Sequence, residues 1–394
     1  MSTAPHGDDT AGLPPPSLEA RAHGGEVLAH IAAAIDEAGG WISFADYMET
    51  VLYAPGLGYY SAGARKFGAA GDFVTAPELT PLFGAALAAS AAEVIERVPD
   101  GELFELGPGT GRLAADLLNA LLAKDRLPRH YRLLEVSADL AARQRECLLE
   151  RAPAALPRVE WIEVLPARWR GLMLANEVLD AVPPHLIARQ RGAWFERGVG
   201  LAGDRLVLSD RPLPPGALRE AAKAAFPAEG DYVSEINPAA QALIRSLAER
   251  CDAGVLLIID YGFPAAEYYH PQRASGTLVA HYRHRVVHDL LFMPGLADLS
   301  AHVDFSAIAR AGVAGGMAVG GYTTQARFLI NCGILDALAA CGDPQTSSYL
   351  RQAAAVQKLL SPAEMGELFK VLALIRGLDE ELVGFRDGDQ GYRL

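Results

Sequence analysis

The sequence is poor in cysteine, and this shortage excludes two ways of building a protein around cross-links. The cysteines Cys147, Cys251, Cys332 and Cys341 are scattered and form no CxxC pair. A disulfide framework or a structural zinc site needs cysteines at short, regular spacings. We therefore expect reduced thiols that are mostly buried, and no metal site.

An excess of basic residues and long apolar runs are also missing. The chain has 35 Lys and Arg against 48 Asp and Glu, a balance that argues against a general nucleic-acid binder. No apolar run approaches the roughly 18 residues of a membrane span. The N-terminal MSTAPHGDDTAGLPPPSLEA has neither the apolar stretch of a signal peptide nor the composition of a transit peptide. We therefore predict a cytoplasmic protein without a membrane span or nucleic-acid partner.

Short apolar runs separated by helical patterns are what the sequence does have. ELFEL, YRLLEV, VEWI, GLMLANEV and GVLLIIDYG follow one another, with segments such as ADLAARQRECLLE between them. Strands that alternate with helices indicate βαβ units and a parallel sheet covered on both faces. The predicted fold class is α/β, with a doubly wound and mostly parallel sheet.

Four regions are predicted along the chain. Residues 1–16 are expected to be a disordered tail, and 17–100 a helical segment with a glycine-rich lid loop. The α/β core is placed at 101–334, with a small antiparallel insertion at 182–209 and a loop-rich insertion at 262–304. Residues 335–394 are predicted to be a C-terminal helical segment and tail.

The glycine loop in ELFELGPGTGRLAADLL, residues 102–118, is the main functional signal. A Walker A loop needs Lys and Ser or Thr after its last glycine, but Arg112 and Leu113 follow Gly111. A dinucleotide fingerprint needs a small sixth residue for close helix packing, and Arg112 is too bulky. The alternative that these glycines only make a tight turn stays open at this point.

Acids on both sides of the loop favour S-adenosylmethionine. Glu105 precedes the glycines and would attract the ammonium and sulfonium charges of this ligand, whereas it would repel a pyrophosphate. Glu135 ends the next strand, where a carboxylate can accept hydrogen bonds from both ribose hydroxyls. Glycines at 107, 109 and 111 let the backbone approach a ligand closely.

The motifs GDFVTAPELTPLFG, FELGPGTGRL, LLEVS, NEVLDAVPPH, DYG, PGLADLSAHVDF and MGELFKVL occur here in this order. Together they resemble the MidA-like family, the complex I assembly-factor methyltransferases related to the mitochondrial protein arginine methyltransferase. The resemblance runs over residues 27–375. It implies a class I, Rossmann-like methyltransferase fold with S-adenosylmethionine as the cofactor. It also implies a protein substrate: the family's eukaryotic members are linked to symmetric dimethylation of an arginine in a complex I subunit, whereas the family leaves the substrate of bacterial members open.

The resemblance assigns residues by position. The family's loop after strand four usually has two aromatic residues between its Glu and Asp, where this chain has Val178 and Leu179, so the shape of the adjoining pocket differs. Asp72, Thr75 and Glu78 lie on a loop that could close over the cofactor, although Asp72 or Thr75 could also cap a helix near Pro77. The predicted cofactor-binding residues are Asp72, Thr75, Glu78, Glu105, Gly107, Pro108, Gly109, Thr110, Gly111, Glu135, Val136, Ser137 and Asn176.

The predicted catalytic residues are Asn176, Glu177 and Asp180, directly after the fourth strand. Ligands of doubly wound sheets bind beyond the carboxyl ends of the strands. Carboxylates there could bind a guanidinium in two-point fashion and keep its attacking nitrogen nucleophilic. The simpler interpretation makes Glu177 a helix-start acid and Asp180 a surface charge.

Further polar residues are predicted to contact the substrate: Asp260 at another strand end, and His302 and Asp304 in AHVDF. His281, His284 and His288 have spacings that could bind zinc on a helix. Neighbouring arginines would repel a cation there, so we predict no metal.

Two other functions fit the same residues. One is a non-catalytic assembly factor for a respiratory complex that retains the cofactor pocket. The other is a small-molecule methyltransferase or an aminopropyl-transfer enzyme. The assembly factor would have little reason to keep Glu177 and Asp180 facing a methyl group.

Overall fold

The computed structural model describes residues 13–61 and 75–394. Its helices are α1 (Leu18–Glu37), α2 (Phe44–Tyr53), α3 (Ala76–Leu79), α4 (Pro81–Arg97), α5 (Arg112–Ala123), α6 (Ala138–Arg151), α7 (Ala217–Ala225), α8 (Pro238–Arg250), α9 (Ala265–Tyr268), α10 (Phe305–Ala314), α11 (Gln325–Asn331), α12 (Ile334–Ala339), α13 (Ser347–Leu360) and α14 (Met365–Leu368). Short 3-10 turns lie at Leu156–Arg158, Val383–Phe385 and Gly391–Arg393.

Its strands are β1 (Ile42–Ser43), β2 (Glu102–Leu106), β3 (Tyr131–Leu134), β4 (Val159–Ile162), β5 (Trp169–Asn176), β6 (His185–Gln190), β7 (Ala193–Ala202), β8 (Arg205–Pro212), β9 (Tyr232–Ile236), β10 (Cys251–Phe263), β11 (Val279–Tyr282), β12 (Arg285–Val287), β13 (Asp298–Ser300), β14 (Val303–Asp304), β15 (Ala318–Thr324) and β16 (Phe369–Arg376).

The chain forms two compact units. Unit one contains the described residues up to 61, together with Asp180–Ala239 and Ala266–His302. Unit two contains the described residues from 75 to Leu179, together with Ala240–Ala265 and Val303–Leu394. Each unit is therefore assembled from segments that are far apart in the sequence.

Unit two is built on an eight-stranded sheet in the order β15-β16-β10-β5-β2-β3-β4, with β14 also paired to β10. The pairs from β10 to β4 are parallel, and only β16 and β15 run antiparallel to their neighbours. The strand order reverses between β2 and β5, and this switch point is where ligands of such sheets bind. The predicted doubly wound, mostly parallel α/β fold is confirmed.

Helices cover this sheet with apolar faces. Leu113, Leu117 and Leu121 of α5 recur at intervals of four residues and are buried in the same core as Leu172 and Leu257 of the sheet. Such spacing lines one face of a helix, and fully burying each leucine stabilises the fold by roughly 1.5–3 kcal/mol. The core thereby fixes the carboxyl ends of β2 and β5.

The predicted helical C-terminal segment needs one correction. Residues Phe369–Arg376 form strand β16, which pairs with β10 on one side and β15 on the other. An apolar run as short as FKVLALIR fits a buried helix or a buried strand equally well. The run forms a strand because the open edge of β10 supplies backbone hydrogen-bond partners along it.

Unit one has two smaller antiparallel sheets. The first has the order β1-β7-β6-β9, with β8 paired to β7, and the second has the order β12-β11-β13. The antiparallel insertion that the sequence predicts at 182–209 thus continues to β9. Helix α2 begins with a capping box, in which Ser43 and Asp46 bond each other's backbone, and Phe44, Tyr47 and Met48 of this helix are buried in the unit's core.

No helix within residues 13–61 and 75–394 is long and apolar enough to cross a membrane.

Candidate active site

Three glycines turn the chain from β2 into α5. Gly107, Gly109 and Gly111 have φ values of 59°, 54° and 81°, a left-handed region that glycine enters without a steric penalty. A Cβ added to Gly109 would meet nothing within 4 Å, whereas one on Gly111 would lie 3.1 Å from the Cα of Gln144. The loop is therefore closely packed at Gly111 and has an open face at Gly109.

Gln144 ties this loop to the acid after β3. Its Nε2 donates to the carbonyl oxygen of Gly109 and to Oε2 of Glu135, each over 2.9 Å, and its Oε1 accepts from Trp161 Nε1 over 2.9 Å. The side chain is fully buried. Sequence reasoning missed Gln144. The sequence feature that could have identified it is a polar residue on the inward face of α6, in line with Ala141 and Leu148.

Glu135 lies at the carboxyl end of β3 with both oxygens oriented. Oε1 accepts from the backbone N–H of Ser137 over 2.8 Å, while Oε2 accepts from Gln144. Burial raises the pKa of Glu135, and these hydrogen bonds partly offset that rise. Ser137 also caps α6 through Leu140 N–H. The intervening Val136 is 81% exposed, an apolar side chain beside a carboxylate that can bind hydroxyls.

Glu105 is buried on β2, two residues before the glycine loop. Its Oε2 accepts a hydrogen bond from the Tyr131 hydroxyl over 2.7 Å. Burial raises the pKa of Glu105 to about 7, and the bond from Tyr131 works against that rise. A cation bound nearby would favour the ionised carboxylate, as the ammonium of S-adenosylmethionine would.

The segment before α4 contacts the glycine loop. Oε1 of Glu78 accepts from the Thr110 hydroxyl over 2.6 Å, and Thr110 in turn accepts from Arg112 N–H. Thr75 occupies the N-cap position of α3 but makes no side-chain capping bond. Asp72 lies outside the described residues. Glu78 therefore supports the loop through Thr110.

Asn176 and Glu177 stand at the carboxyl end of β5, beside the switch point. Glu177 has φ of 53°, rare for a residue with a side chain, and its N–H donates to the Ile259 carbonyl over 2.9 Å. Its Oε1 accepts two long bonds, from Ala76 N–H at 3.4 Å and Asn176 Nδ2 at 3.3 Å. The Oδ1 atom of Asn176 is buried and has no hydrogen-bond partner among the described residues.

Asp260 holds the turn that follows Glu177. Its Oδ2 accepts from the backbone N–H groups of Val178 and Leu179, over 3.2 and 2.9 Å, and its Oδ1 accepts from Tyr261 N–H over 2.9 Å. The side chain is fully buried. Asp260 therefore positions this turn, and its contact with the substrate stays a prediction.

The remaining predicted site residues divide between the units. Asp304 belongs to unit two and caps α10 by accepting from Ala307 N–H over 3.0 Å, and its contact with the substrate stays a prediction. Asp180 and His302 belong to unit one. Asp180 is almost fully buried, which contradicts the surface-charge interpretation, and His302 N–H donates to Thr277 Oγ1 over 3.0 Å.

The histidine-rich segment forms a hairpin instead of a helix. His281 lies in β11, His284 in the turn with φ of 64°, and His288 just after β12. Burial lowers the pKa of His281. Within the described ranges, no group of three or more His, Cys, Asp or Glu side chains is placed to hold a metal ion.

Unit two as described fits S-adenosylmethionine. The open face at Gly109 leaves room for a ligand beside the backbone, Glu135 presents oriented carboxylate oxygens for hydroxyls, and Glu105 can accept a positive charge. Asn176 adds a buried amide oxygen that lacks a donor within residues 13–61 and 75–394. This set contains acceptors for an ammonium and a ribose.

Comparison with known proteins agrees with this geometry. A family described as S-adenosyl-L-methionine-dependent methyltransferases matches residues 86–323. The protein arginine methyltransferase NDUFAF7, mitochondrial, of Danio rerio is 32% identical over 391 residues, covering 89% of this chain and 86% of the relative. The human protein of the same name is 30% identical over 384 residues, covering 89% and 83%.

A solved structure is closer in sequence. A COG1565 superfamily member from Burkholderia thailandensis, bound to S-adenosyl-homocysteine, is 48% identical with a TM-score of 0.94, covering 97% of this chain and 100% of its own. The predicted cytoplasmic location is wrong by these comparisons, because the curated relatives are named mitochondrial. The family match, the relatives and the solved structure lead to one conclusion: the chain belongs to the S-adenosyl-L-methionine-dependent methyltransferases.

Proposed function

We propose that this chain methylates the guanidinium of an arginine in a protein. The observation that carries the proposal is the pair of acceptors at the end of β5: the Glu177 carboxylate and the Oδ1 atom of Asn176, which has no partner among the described residues. A guanidinium is a planar group of N–H donors with no acceptor, so neighbouring carboxylate and amide oxygens complement it. The relatives named protein arginine methyltransferases support the same acceptor.

Residues of unit two would hold the cofactor. Glu105 would face its ammonium, Glu135 its ribose hydroxyls, and the backbone of the glycine loop would lie alongside it. When bound, S-adenosylmethionine supplies an electrophilic methyl group on a sulfonium. The segment from Thr75 to Glu78, at the start of α3, supports this region through Thr110. We also propose that Thr75 contacts the cofactor.

Glu177 would orient the acceptor and polarise it. A carboxylate that accepts from one side of the guanidinium draws positive charge toward itself and leaves another nitrogen more nucleophilic. Orientation alone can supply roughly 7–11 kcal/mol of a barrier. The left-handed backbone at Glu177 and the two bonds from Val178 and Leu179 to Asp260 keep this carboxylate in place.

Asp180 remains in the proposal as a second acid for the acceptor. Only Val178 and Leu179 separate it from Glu177. We further propose a subunit of respiratory complex I as the protein substrate, which is the substrate class that the resemblance to the MidA-like family implies.

Mass spectrometry would test the acceptor. Complex I subunits from a strain that lacks this enzyme would be incubated with the full chain and methyl-labelled S-adenosylmethionine. The expected result is label on arginine, with none from Glu177→Gln and normal labelling from Glu146→Gln, which changes an exposed acid on α6. A non-catalytic assembly factor would bind a subunit without labelling it, and label confined to small molecules would also refute the proposal.

A further inference from the structure

Two tyrosines of unit one form a stacked pair with an accessible face. Tyr53, at the end of α2, and Tyr60 have ring centroids 5.6 Å apart and planes 25° apart. Tyr53 as a residue is 40% exposed, although its hydroxyl turns inward and donates to the Ala181 carbonyl over 2.9 Å. Tyr59 supports the pair from behind, edge-on to Tyr60. The pair therefore presents a fixed aromatic face, and such faces attract cations.

Two carboxylates lie at this pair. Asp298 of β13 accepts from the Tyr60 hydroxyl through both of its oxygens, over 3.0 and 3.2 Å. The backbone oxygen of Asp180 accepts from Ala301 N–H over 3.0 Å, just past β13. Burial first, and then the charges of Asp180 and Asp298, raise the pKa of the Tyr53 hydroxyl. The charges of both acids are thus felt at the same aromatic pair.

A buried hydroxyl also lies on β13. Ser300 is 1% exposed, and its Oγ makes no hydrogen bond among the described residues. Side chains alternate along a strand, so Ser300 and Asp298 project from the same face of β13. A buried polar atom without a partner costs folding free energy, and a ligand that supplied a donor would remove that cost.

We propose that Tyr53, Tyr60, Asp298 and Ser300, together with Asp180, form a binding subsite in unit one for an arginine guanidinium of the protein substrate. This inference rests on the proposed function and names the unit-one residues that recognise the substrate. The guanidinium has two possible sources, the arginine that is methylated or a second arginine near it in the same protein.

The chemistry of the cluster favours a guanidinium over other ligands. A guanidinium can stack flat on a tyrosine and still direct its N–H groups to carboxylates and a hydroxyl. A lysine ammonium is a strongly hydrated point charge and cannot stack in this way. An anion would be repelled by Asp180 and Asp298, and a neutral aromatic ligand would gain nothing from them.

Titration calorimetry with short peptides would test the subsite directly. The full chain, saturated with S-adenosyl-homocysteine, would be titrated with acetyl-Gly-Gly-Arg-Gly-Gly-amide and with the same peptide carrying citrulline or lysine. Citrulline keeps the shape of arginine but removes its charge. We expect the arginine peptide to bind about tenfold more tightly than the citrulline peptide, because hydrogen bonds to charged groups are the strong ones.

Two substitutions with matched controls would locate the binding. Asp298→Asn and Tyr53→Ala should each lower the affinity for the arginine peptide about tenfold and leave the affinity for S-adenosyl-homocysteine unchanged. Asp204→Asn, in the exposed turn between β7 and β8, and Tyr392→Ala, on a ring that is 86% exposed, are the controls. Both controls should bind the peptide as the parent does.

Ser300→Ala separates recognition from a structural role. Removing a buried hydroxyl that has no partner in the described part of the chain should leave the melting temperature unchanged or raise it. The same change should lower the affinity for the arginine peptide several-fold, because the guanidinium loses a hydrogen-bond acceptor. A lower melting temperature with unchanged peptide affinity would show that Ser300 only supports the fold. This variant and Tyr53→Ala also keep the test decisive if Asp298→Asn does not fold.

Labelling of peptides with one and with two arginines would distinguish the source. If the variants slow the labelling of both peptides at saturating peptide, the subsite holds the arginine that is methylated. If they weaken the binding of both peptides but leave the labelling of the one-arginine peptide at saturation unchanged, the subsite holds the neighbouring arginine. Variant-sensitive binding without any arginine methylation would keep the subsite and refute the proposed function. Arginine methylation by a parent whose variants bind both peptides equally well would keep the function and overturn the subsite.

Discussion

The side-chain amide of Gln144 donates to the carboxylate of Glu135 over 2.9 Å and to the carbonyl oxygen of Gly109 over the same distance. One buried residue therefore sets the spacing between the glycine loop and the acid after β3. Gln144 is a positioning residue in our account, since it acts on the cofactor through these two partners.

Gln144→Met should lower the affinity for S-adenosyl-homocysteine about tenfold. Methionine fills a similar volume but removes the donor that orients Glu135, and a net hydrogen bond to a charged group is worth about 1.5–3 kcal/mol. Calorimetry would measure the affinity, with Gln357→Met on the exposed side of α13 as the control. A purely structural role would lower the melting temperature and leave the cofactor affinity of the folded protein intact.

Glu135→Ala should weaken cofactor binding by a few kcal/mol. The substitution removes the charged acceptor proposed for two hydroxyls, each bond contributing about 1.5–3 kcal/mol. Titration with S-adenosyl-homocysteine would show the loss, while Glu146→Ala on the exposed face of α6 should bind normally. Unchanged affinity in a folded Glu135→Ala protein would remove Glu135 from the site.

Glu177→Gln should reduce turnover by on the order of 10²–10³ and keep the cofactor affinity near that of the parent. A neutral amide polarises a guanidinium less than a carboxylate does. Turnover would be followed by transfer of labelled methyl to the protein substrate, and Asp180→Asn should show the same pattern. A large loss of cofactor affinity with turnover intact would assign Glu177 to the cofactor instead.

Asp260→Asn should lower the free energy of unfolding by about 1–3 kcal/mol. Asparagine can accept with one atom only, so its Nδ2 would face a backbone N–H that now bonds a carboxylate oxygen. Chemical denaturation would measure the change, with Asp379→Asn at an exposed position as the control. Turnover should fall too, because the 177–179 turn loosens; equal stability in parent and variant would contradict the role.

Glu105 predicts a pH dependence with a definite sign. Its pKa in the folded protein is about 7, above its ordinary value of 4.5. Burial therefore disfavours the charged form of Glu105. The contribution of protonated Glu105 to the free energy of unfolding is fully present below pH 4.5 and is lost as the pH rises through 7. Relative to the Glu105→Gln variant, the free energy of unfolding of the parent should fall by up to about 3 kcal/mol across this pH window. Denaturation at several pH values would measure it, and a parallel pH profile for both proteins would contradict it.

Much of the fold and the cofactor loop could be predicted from the sequence because those features depend on neighbouring residues. Glycines at 107, 109 and 111 are needed wherever the backbone turns with positive φ, and the alternation of strands and helices fixes a doubly wound sheet. The acids Glu105 and Glu135 could be recognised because each follows from its place on a strand. Residue spacing was therefore enough for the fold class and for the cofactor, whereas the family followed from the resemblance of whole motifs.

Only the tertiary structure decided which polar residues act on one another. Asp260 bonds Leu179 across 81 positions of the chain, and Tyr60 bonds Asp298 across 238, separations that no local pattern carries. The same holds for β16, whose apolar run became a strand because β10 and β15 offered it backbone partners. Periodicity identifies the elements, but hydrogen bonds between distant segments determine where each side chain is used.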